Sequence, residues 1–89
     1  MPVLITAEVP GQTKEGYEGM LAALGPLLRD AKGFIAHGGA PVAGGFRCFE
    51  VWESQEQATQ FFAKHIHPHL PPGVTPQRTM LELHSLIRP

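Results

Sequence analysis

Two histidines in predicted strands are the first candidates for chemistry in this sequence. His37 precedes a glycine-rich connection, and His84 lies near the end of the last predicted strand. An imidazole titrates near neutral pH, which suits it to general acid–base catalysis or to polarising a carbonyl. The alternative interpretation is that each is a hydrogen-bonded structural histidine at a sheet end.

Glu50 lies between Cys48 and Trp52 in the most apolar predicted strand, close to Arg47. On such a face an unpaired carboxylate favours its protonated form, so Glu50 is a candidate base. The competing interpretation is a salt bridge to Arg47 or Arg78 of the same chain or of a second copy. Apolar surroundings make a thiol unreactive, so Cys48 is predicted to serve packing. The catalytic candidates are His37, His84, Glu50 and Arg47.

The segment His65-Ile66-His67-Pro68-His69 is the most metal-like feature of the chain. Three imidazoles suit zinc, copper or nickel. However, positions i and i+2 point to different sides of a helix, and Pro68 interrupts it. No cysteine or carboxylate cluster accompanies the histidines, so we predict a solvated helix end and no metal, with metal binding by His65, His67 and His69 as the weaker alternative.

Hydrophobic periodicity predicts the elements that position these residues. Val3, Ile5, Ala7 and Val9 alternate with polar or outward positions, as in a half-buried strand. The predicted strands cover Val3–Val9, Phe34–Gly39, Phe46–Glu53 and Arg78–Leu86. The first helix is predicted from about Thr13 and is broken or kinked at Gly25-Pro26, and the second begins at the Ser54–Gln57 capping box and ends before Pro68.

This β-α-β-β-α-β order predicts a ferredoxin-like α+β fold, a four-stranded antiparallel sheet with two helices on one face. The other sheet face is then bare. We predict that Leu4, Cys48, Trp52, Met80 and Leu86 project from it. Because so apolar a surface is typical of an interface, two copies are expected to pack sheet to sheet as a homodimer.

Composition narrows the class of protein. The chain has 89 residues, a formal net charge of −1 and one cysteine. We therefore expect one domain over residues 1–89, no disulfide, and no nucleic-acid binding, since a basic surface is lacking. The N-terminal segment lacks a basic region and is interrupted by Glu8, and no apolar run is long enough to span a bilayer. A cytoplasmic protein without a membrane partner is expected.

Three segments resemble the antibiotic biosynthesis monooxygenase-like proteins of the dimeric α+β barrel superfamily. They are Gly33-Phe34-Ile35-Ala36-His37, Gly44-Gly45-Phe46 and Glu50-Val51-Trp52-Glu53-Ser54, the last followed by Phe61, Phe62 and Pro68. The likeness extends from Leu4 to Leu86. It implies a homodimer whose sheets pack face to face, pairing into a dimeric α/β barrel, with a cavity between sheet and helices in each subunit.

The resemblance implies several activities, because the superfamily includes cofactor-free oxygenases, haem-degrading enzymes, isomerases and cyclases. Trp52 matches the family's strand tryptophan. The anthrone oxygenases and the haem-degrading branch also use an asparagine, and this chain contains none. The role that the resemblance implies for an active-site asparagine therefore has no counterpart in this chain.

We therefore predict a homodimer that binds or oxidises a hydrophobic, aromatic or carbonyl-bearing small molecule. His37 would orient or protonate the ligand, and the pocket-lining candidates are Tyr17, Phe34, Phe49, Trp52 and Phe62. No flavin or haem site is indicated, so the substrate itself would supply electrons to oxygen. The alternative is a non-catalytic ligand-binding or accessory dimer. Two polar side chains converging in one apolar pocket would favour the first hypothesis.

Overall fold

Four strands and two helices follow the chain in the predicted order. In this computed structural model, which describes residues 1–89, the strands are β1 (Val3–Pro10), β2 (Phe34–Val42), β3 (Gly45–Trp52) and β4 (Gln77–Glu82), and the helices are α1 (Lys14–Asp30) and α2 (Gln55–Phe61). The sheet is antiparallel with strand order β2-β3-β1-β4, as in the ferredoxin-like fold.

Side-chain caps begin both helices. The Thr13 hydroxyl accepts a hydrogen bond from the Gly16 amide at 3.0 Å, and the Ser54 hydroxyl accepts one from the Gln57 amide at 3.2 Å. The helix start predicted at Ser54 is confirmed. The predicted interruption at Gly25-Pro26 is wrong as a break, since α1 continues through Pro26 to Asp30.

The segment after α2 departs from a regular helix. Phe62–Ile66 forms a π-helical turn and His67–His69 a 3-10 turn, so the α-helix ends at Phe61, earlier than predicted. A π turn holds more residues than an α turn and rotates the side chains that follow it. Phe62 and Ile66 both line the cavity described below.

One face of the sheet packs against the helices. The odd positions of β1 face them as predicted, with Val3 and Ile5 only 4% and 3% exposed. Val3 pairs with Trp52, so the even positions of β3 share this side, and Trp52 is 1% exposed. These residues form the main core with Leu28, Ala58 and Phe61.

The predicted composition of the bare face is wrong for four of its five residues. Trp52 and Cys48 lie on the helix side, because strand pairing sets them beside Val3 and Ala7. Met80 pairs with Ile5 and packs against the main core. Leu86 follows the end of β4, which stops at Glu82, four residues earlier than predicted. Of the five, Leu4 alone was placed correctly.

The face without helices, here called the open face, carries an apolar group around β1. Leu4 pairs with Val51 on one side and Leu81 on the other, and Phe49 lies one pair further along β3. Leu81 is 63% exposed and Phe49 is 43% exposed. Glu8 and Arg47 form an ion pair at the rim.

Neither helix is long and apolar enough to cross a lipid bilayer.

Candidate active site

A small apolar cavity of about 70 Å³ lies between the sheet and α1, bordered by the turns after α2. Hydrophobic residues make up 13 of its 18 lining residues. The polar groups of the lining are the side chains of Gln12, His37, Glu50 and Arg78 and the hydroxyl of Tyr17. An apolar cavity with a few convergent polar groups is the usual form of a small-molecule site.

Four side chains form a continuous hydrogen-bonded chain on the cavity wall, here called the site network. Trp52 Nε1–H donates to Glu50 Oε1 at 2.9 Å, and His37 Nδ1 lies 3.1 Å from Glu50 Oε2. Tyr17 Oη lies 2.7 Å from His37 Nε2. With the Glu50 carboxylate accepting from Nδ1–H, the neutral imidazole leaves Nε2 to accept from the tyrosine hydroxyl.

A β-bulge brings His37 into the site network. Phe34 pairs with Trp52, but the next paired residue is Ala36, opposite Val51, so Ile35 is an extra residue in β2. His37 consequently pairs with Glu50 rather than with Phe49. Because side chains alternate between faces, the extra residue moves His37 from the open face to the cavity face.

Tyr17 reaches the network from α1 because β2 leaves room for its ring. A Cβ atom at Gly39 would lie 2.4 Å from the Tyr17 hydroxyl, so only glycine fits beneath it. On its other side the Tyr17 ring stacks on Phe46, with centroids 4.7 Å apart. The ring is therefore held between the helix and the sheet with its hydroxyl directed at His37.

Burial keeps two groups of the cavity protonated. Burial, with the smaller influences of Cys48 and Glu50, raises the pKa of Tyr17 to about 12. Burial also raises the pKa of Cys48, with Glu50 and Glu8 adding to the effect. Tyr17 is thus a hydrogen-bond donor at neutral pH, and the Cys48 thiol is a poor nucleophile.

Tyr17 offers a direct test of this environment, because it is the single tyrosine of the chain. Absorbance at 295 nm should show phenolate forming with a midpoint near 12 in the folded protein. In guanidinium chloride the midpoint should fall to about 10, the value for an exposed tyrosine. A folded-state midpoint near 10, with circular dichroism unchanged, would contradict the buried network.

The same shift makes stability depend on pH. The folded-state pKa of Tyr17 is raised above that of the unfolded chain. Its contribution to stability is therefore complete below about pH 10 and is lost as the pH rises through about 12.

Comparison with solved structures identifies proteins of similar fold. No family model matches the chain, and no curated protein matches its sequence. SnoaB, a cofactor-independent oxygenase from Streptomyces nogalater, superposes with a TM-score of 0.68 at 12% identity, covering 97% of this chain and 96% of SnoaB. The haem-degrader MhuD from Mycobacterium tuberculosis, solved with two haems bound, superposes with a TM-score of 0.59 at 24% identity, covering 99% and 100% of the two chains.

A third protein, NE2512 from Nitrosomonas europaea, has unknown function. It superposes with a TM-score of 0.65 at 15% identity, covering 99% of this chain and 92% of that one. The chain has the antibiotic biosynthesis monooxygenase-like fold. In this monooxygenase-like fold the site network lies between the sheet and α1, on the side covered by the helices.

The structure brings together two of the four catalytic candidates. His37 and Glu50 are hydrogen-bonded, with side chains 11% and 13% exposed. Arg47 lies at the rim of the open face, paired with Glu8 and with a side chain 64% exposed. His84 lies exposed beyond the end of β4. Neither Arg47 nor His84 lines the cavity.

The predicted binding residues fall into three places. Tyr17 and Phe62 line the cavity. Trp52 belongs to the main core and packs edge to face with Phe34, with centroids 5.5 Å apart. Trp52 also reaches the site through its hydrogen bond to Glu50. Phe49 borders the cavity from β3, while its ring lies over Gly38 on the open face.

Sequence reasoning missed two polar roles. Tyr17 was expected only as apolar lining, and its hydroxyl is an end of the site network. Arg78 was expected only as a partner for Glu50, and it lines the cavity from β4. The available signal was the spacing of Arg78 and Met80, which are two positions apart in the strand and therefore lie on the same face.

The three histidines after α2 do not converge. The His65 ring packs against Phe61 with centroids 4.8 Å apart, and His67 lies 6.3 Å from Phe62 by the same measure. His69 lines a separate groove beside α1. No group of three His, Cys, Asp or Glu side chains has the arrangement of a metal site.

The cavity residues do not fit a haem, the group bound by MhuD. His37 is the one imidazole lining the cavity, and both its ring nitrogens are already hydrogen-bonded, to Tyr17 and Glu50. An axial ligand needs a free nitrogen lone pair directed at the iron. The cavity therefore offers no imidazole available as a haem ligand.

Proposed function

We propose that this protein is a cytoplasmic, homodimeric, cofactor-independent oxygenase of hydrophobic aromatic or carbonyl-bearing small molecules. The observation that carries the proposal is the Tyr17–His37–Glu50 chain on the wall of an apolar cavity. An imidazole oriented by a carboxylate on one nitrogen and facing a hydroxyl on the other is the arrangement of a general base.

The first step is removal of an acidic C–H proton from the substrate. The Tyr17 hydroxyl gives its proton to His37 Nε2 as its oxygen accepts the substrate proton. Glu50, already bonded to Nδ1–H, stabilises the imidazolium that results. Trp52 donates to the other carboxylate oxygen and so fixes Glu50 in place. The substrate is left as a resonance-stabilised carbanion in an apolar surrounding.

The carbanion then supplies the electrons for oxygen. A new C–O bond to O₂ gives a peroxide anion, and the proton held on the network returns to its terminal oxygen. Loss of water from the hydroperoxide, with the second C–H proton, leaves a carbonyl at that carbon. A methylene and O₂ thus become a ketone and water, with the substrate as the sole reductant.

Two findings support this reaction over a purely structural network. SnoaB, which shares the fold over nearly its whole length, is a cofactor-independent oxygenase. Furthermore, the polar groups converge within one apolar cavity, which is the property that favours a ligand-directed role over an accessory one.

Measurement of oxygen uptake with anthrone as the substrate tests the proposed oxygenase activity. Purified protein, free of added metal, flavin or haem, should consume one O₂ per anthrone converted to anthraquinone. Heat-treated protein provides the control for spontaneous oxidation. A rate equal to that control for anthrone, for other enolisable aryl ketones and for their carboxylate-bearing derivatives would refute the oxygenase and favour the accessory dimer.

We propose the open face as the dimer interface, and this proposal has a separate test. Leu81→Lys places a charge within the apolar group around Leu4, so we expect a dimer of the wild type and a monomer of the variant. Leu27→Lys, at a 45% exposed position on α1, is the matched control and should stay dimeric. Light scattering after size exclusion reports the masses. A wild-type monomer, or a dimeric Leu81→Lys variant, would contradict this interface.

A further inference from the structure

The cavity has a floor of small residues that runs across the whole sheet. Strand pairing aligns Gly39 with Cys48, Cys48 with Ala7, and Ala7 with Arg78, one residue from each strand. Paired residues share a face, so all four lie on the helix side. Tyr17 covers the Gly39 end of this row, and Arg78 stands at the other.

Arg78 is a cation without an acidic partner. Its guanidinium carbon lies 3.9 Å from the centre of the Phe62 ring, and it forms none of the ion pairs in the chain. Glu50, the one acid of the cavity, already accepts from Trp52 with one oxygen and bonds His37 with the other. Burial lowers the pKa of Arg78, while Glu50 raises it.

A neutral ligand would bind poorly beside this group. By displacing water it would leave the guanidinium both desolvated and unpaired, which costs more than the apolar contacts of a single ring return. A ligand with its own anion would instead satisfy the guanidinium through charge-assisted, bidentate hydrogen bonds.

We propose that Arg78 is a specificity residue, and that the substrate of this site is a planar aromatic molecule carrying a carboxylate at the end remote from the site network. The carboxylate binds Arg78, the rings lie on the floor of Ala7 and Cys48, and the reacting end faces Tyr17 and His37. This substrate class rests on the proposed function, since the site network is taken as the reacting end.

The neighbouring groove supplies the room that such a ligand needs. The cavity of about 70 Å³ is smaller than the roughly 150 Å³ that holds a benzene ring. A groove of about 380 Å³ beside it shares Met20, Leu24, Ile66 and Leu70 as lining. Met20 lines both spaces and has several rotatable bonds, so a change of its rotamer is the movement that would join them.

Equilibrium binding of two fluorescent probes tests the assignment without turnover. The probes are 6-hydroxy-2-naphthoate and its uncharged isostere 6-hydroxy-2-naphthamide, titrated into the dimer under nitrogen. We expect the wild type to bind the carboxylate roughly tenfold or more tightly than the amide. Arg78→Gln should abolish this preference, and Arg78→Lys should keep part of it. Arg29→Gln, at an exposed position on α1, is the matched control and should keep all of it.

Three results would overturn the assignment: equal affinities in the wild type, an unchanged preference in Arg78→Gln, or no binding of either probe at millimolar concentration. Circular dichroism of each variant excludes misfolding as the cause. The outcome is independent of catalysis. A carboxylate preference in a protein inactive on oxygen would refute the proposed function alone, whereas oxygen uptake without that preference would refute the role of Arg78 alone.

Discussion

His37→Ala should lower kcat for oxygen uptake by roughly 10²–10⁴-fold, the usual contribution of a positioned general base. His37 is the one group between Tyr17 and Glu50, so its removal leaves the tyrosine proton without an acceptor. Neither remaining side chain replaces it, because burial holds the Tyr17 pKa at about 12. Initial rates from an oxygen electrode, at saturating substrate, measure the effect.

Two control variants distinguish loss of the general base from loss of structure. His37→Gln fills most of the imidazole volume and keeps a hydrogen-bonding amide, but it cannot accept a proton at neutral pH. It should be as inactive as His37→Ala while losing less stability. His84→Ala removes an exposed histidine outside the cavity and should retain activity. Full activity in both His37 variants, with circular dichroism unchanged, would exclude the proposed base.

Trp52→Ala should reduce the free energy of unfolding by about 3–5 kcal/mol, the usual cost of truncating a buried aromatic residue. Trp52 is 1% exposed and contacts the rings of Phe34 and Phe61, so little of the resulting cavity can collapse. A small domain is commonly stable by only about 5–15 kcal/mol, so much of the margin would be lost. Urea denaturation followed by circular dichroism is the measurement, since the variant has no tryptophan fluorescence.

Trp52→Phe separates packing from hydrogen bonding at the same position. The phenyl ring preserves most of the buried contact but removes the N–H donor to Glu50 Oε1. We expect a smaller loss of about 1–3 kcal/mol, the cost of leaving a buried acceptor unpaired. Equal stability of Trp52→Ala and the wild type would contradict the core described here. A Trp52→Phe variant as unstable as Trp52→Ala would show that the indole N–H, rather than ring packing, dominates.

Local pattern was sufficient to predict the architecture. The alternation of Val3, Ile5 and Val9, the helical stripe of α1 and the cap at Ser54 each depend on residues near one another in sequence. Those signals gave the element order, and the element order gave the ferredoxin-like topology. The core side of β1 followed from the same alternation.

The faces of the other strands did not follow, because alternation within a strand does not say which set of residues meets the helices. Trp52 and Cys48 were assigned to the wrong side, since only the pairing of β3 with β1 decides that question. The end of β4 and the π turn at Phe62–Ile66 likewise depend on tertiary packing. His37 and Glu50 were identified only because their side chains can take part in acid–base chemistry. The role of the Tyr17 hydroxyl followed neither from side-chain chemistry nor from the hydrophobic pattern.

The bulge at Ile35 lets Phe34 and His37, three positions apart in β2, lie on the same face of the sheet. Substituting Ile35 preserves the number of residues in β2 and therefore the facing of His37. Deleting Ile35 removes the extra residue, so regular pairing from Phe34 onward still sets Ala36 opposite Val51 and His37 opposite Glu50. Loss of that residue would thus leave the imidazole in the cavity, whereas straightening β2 with every residue kept would set His37 opposite Phe49 and transfer the imidazole to the open face.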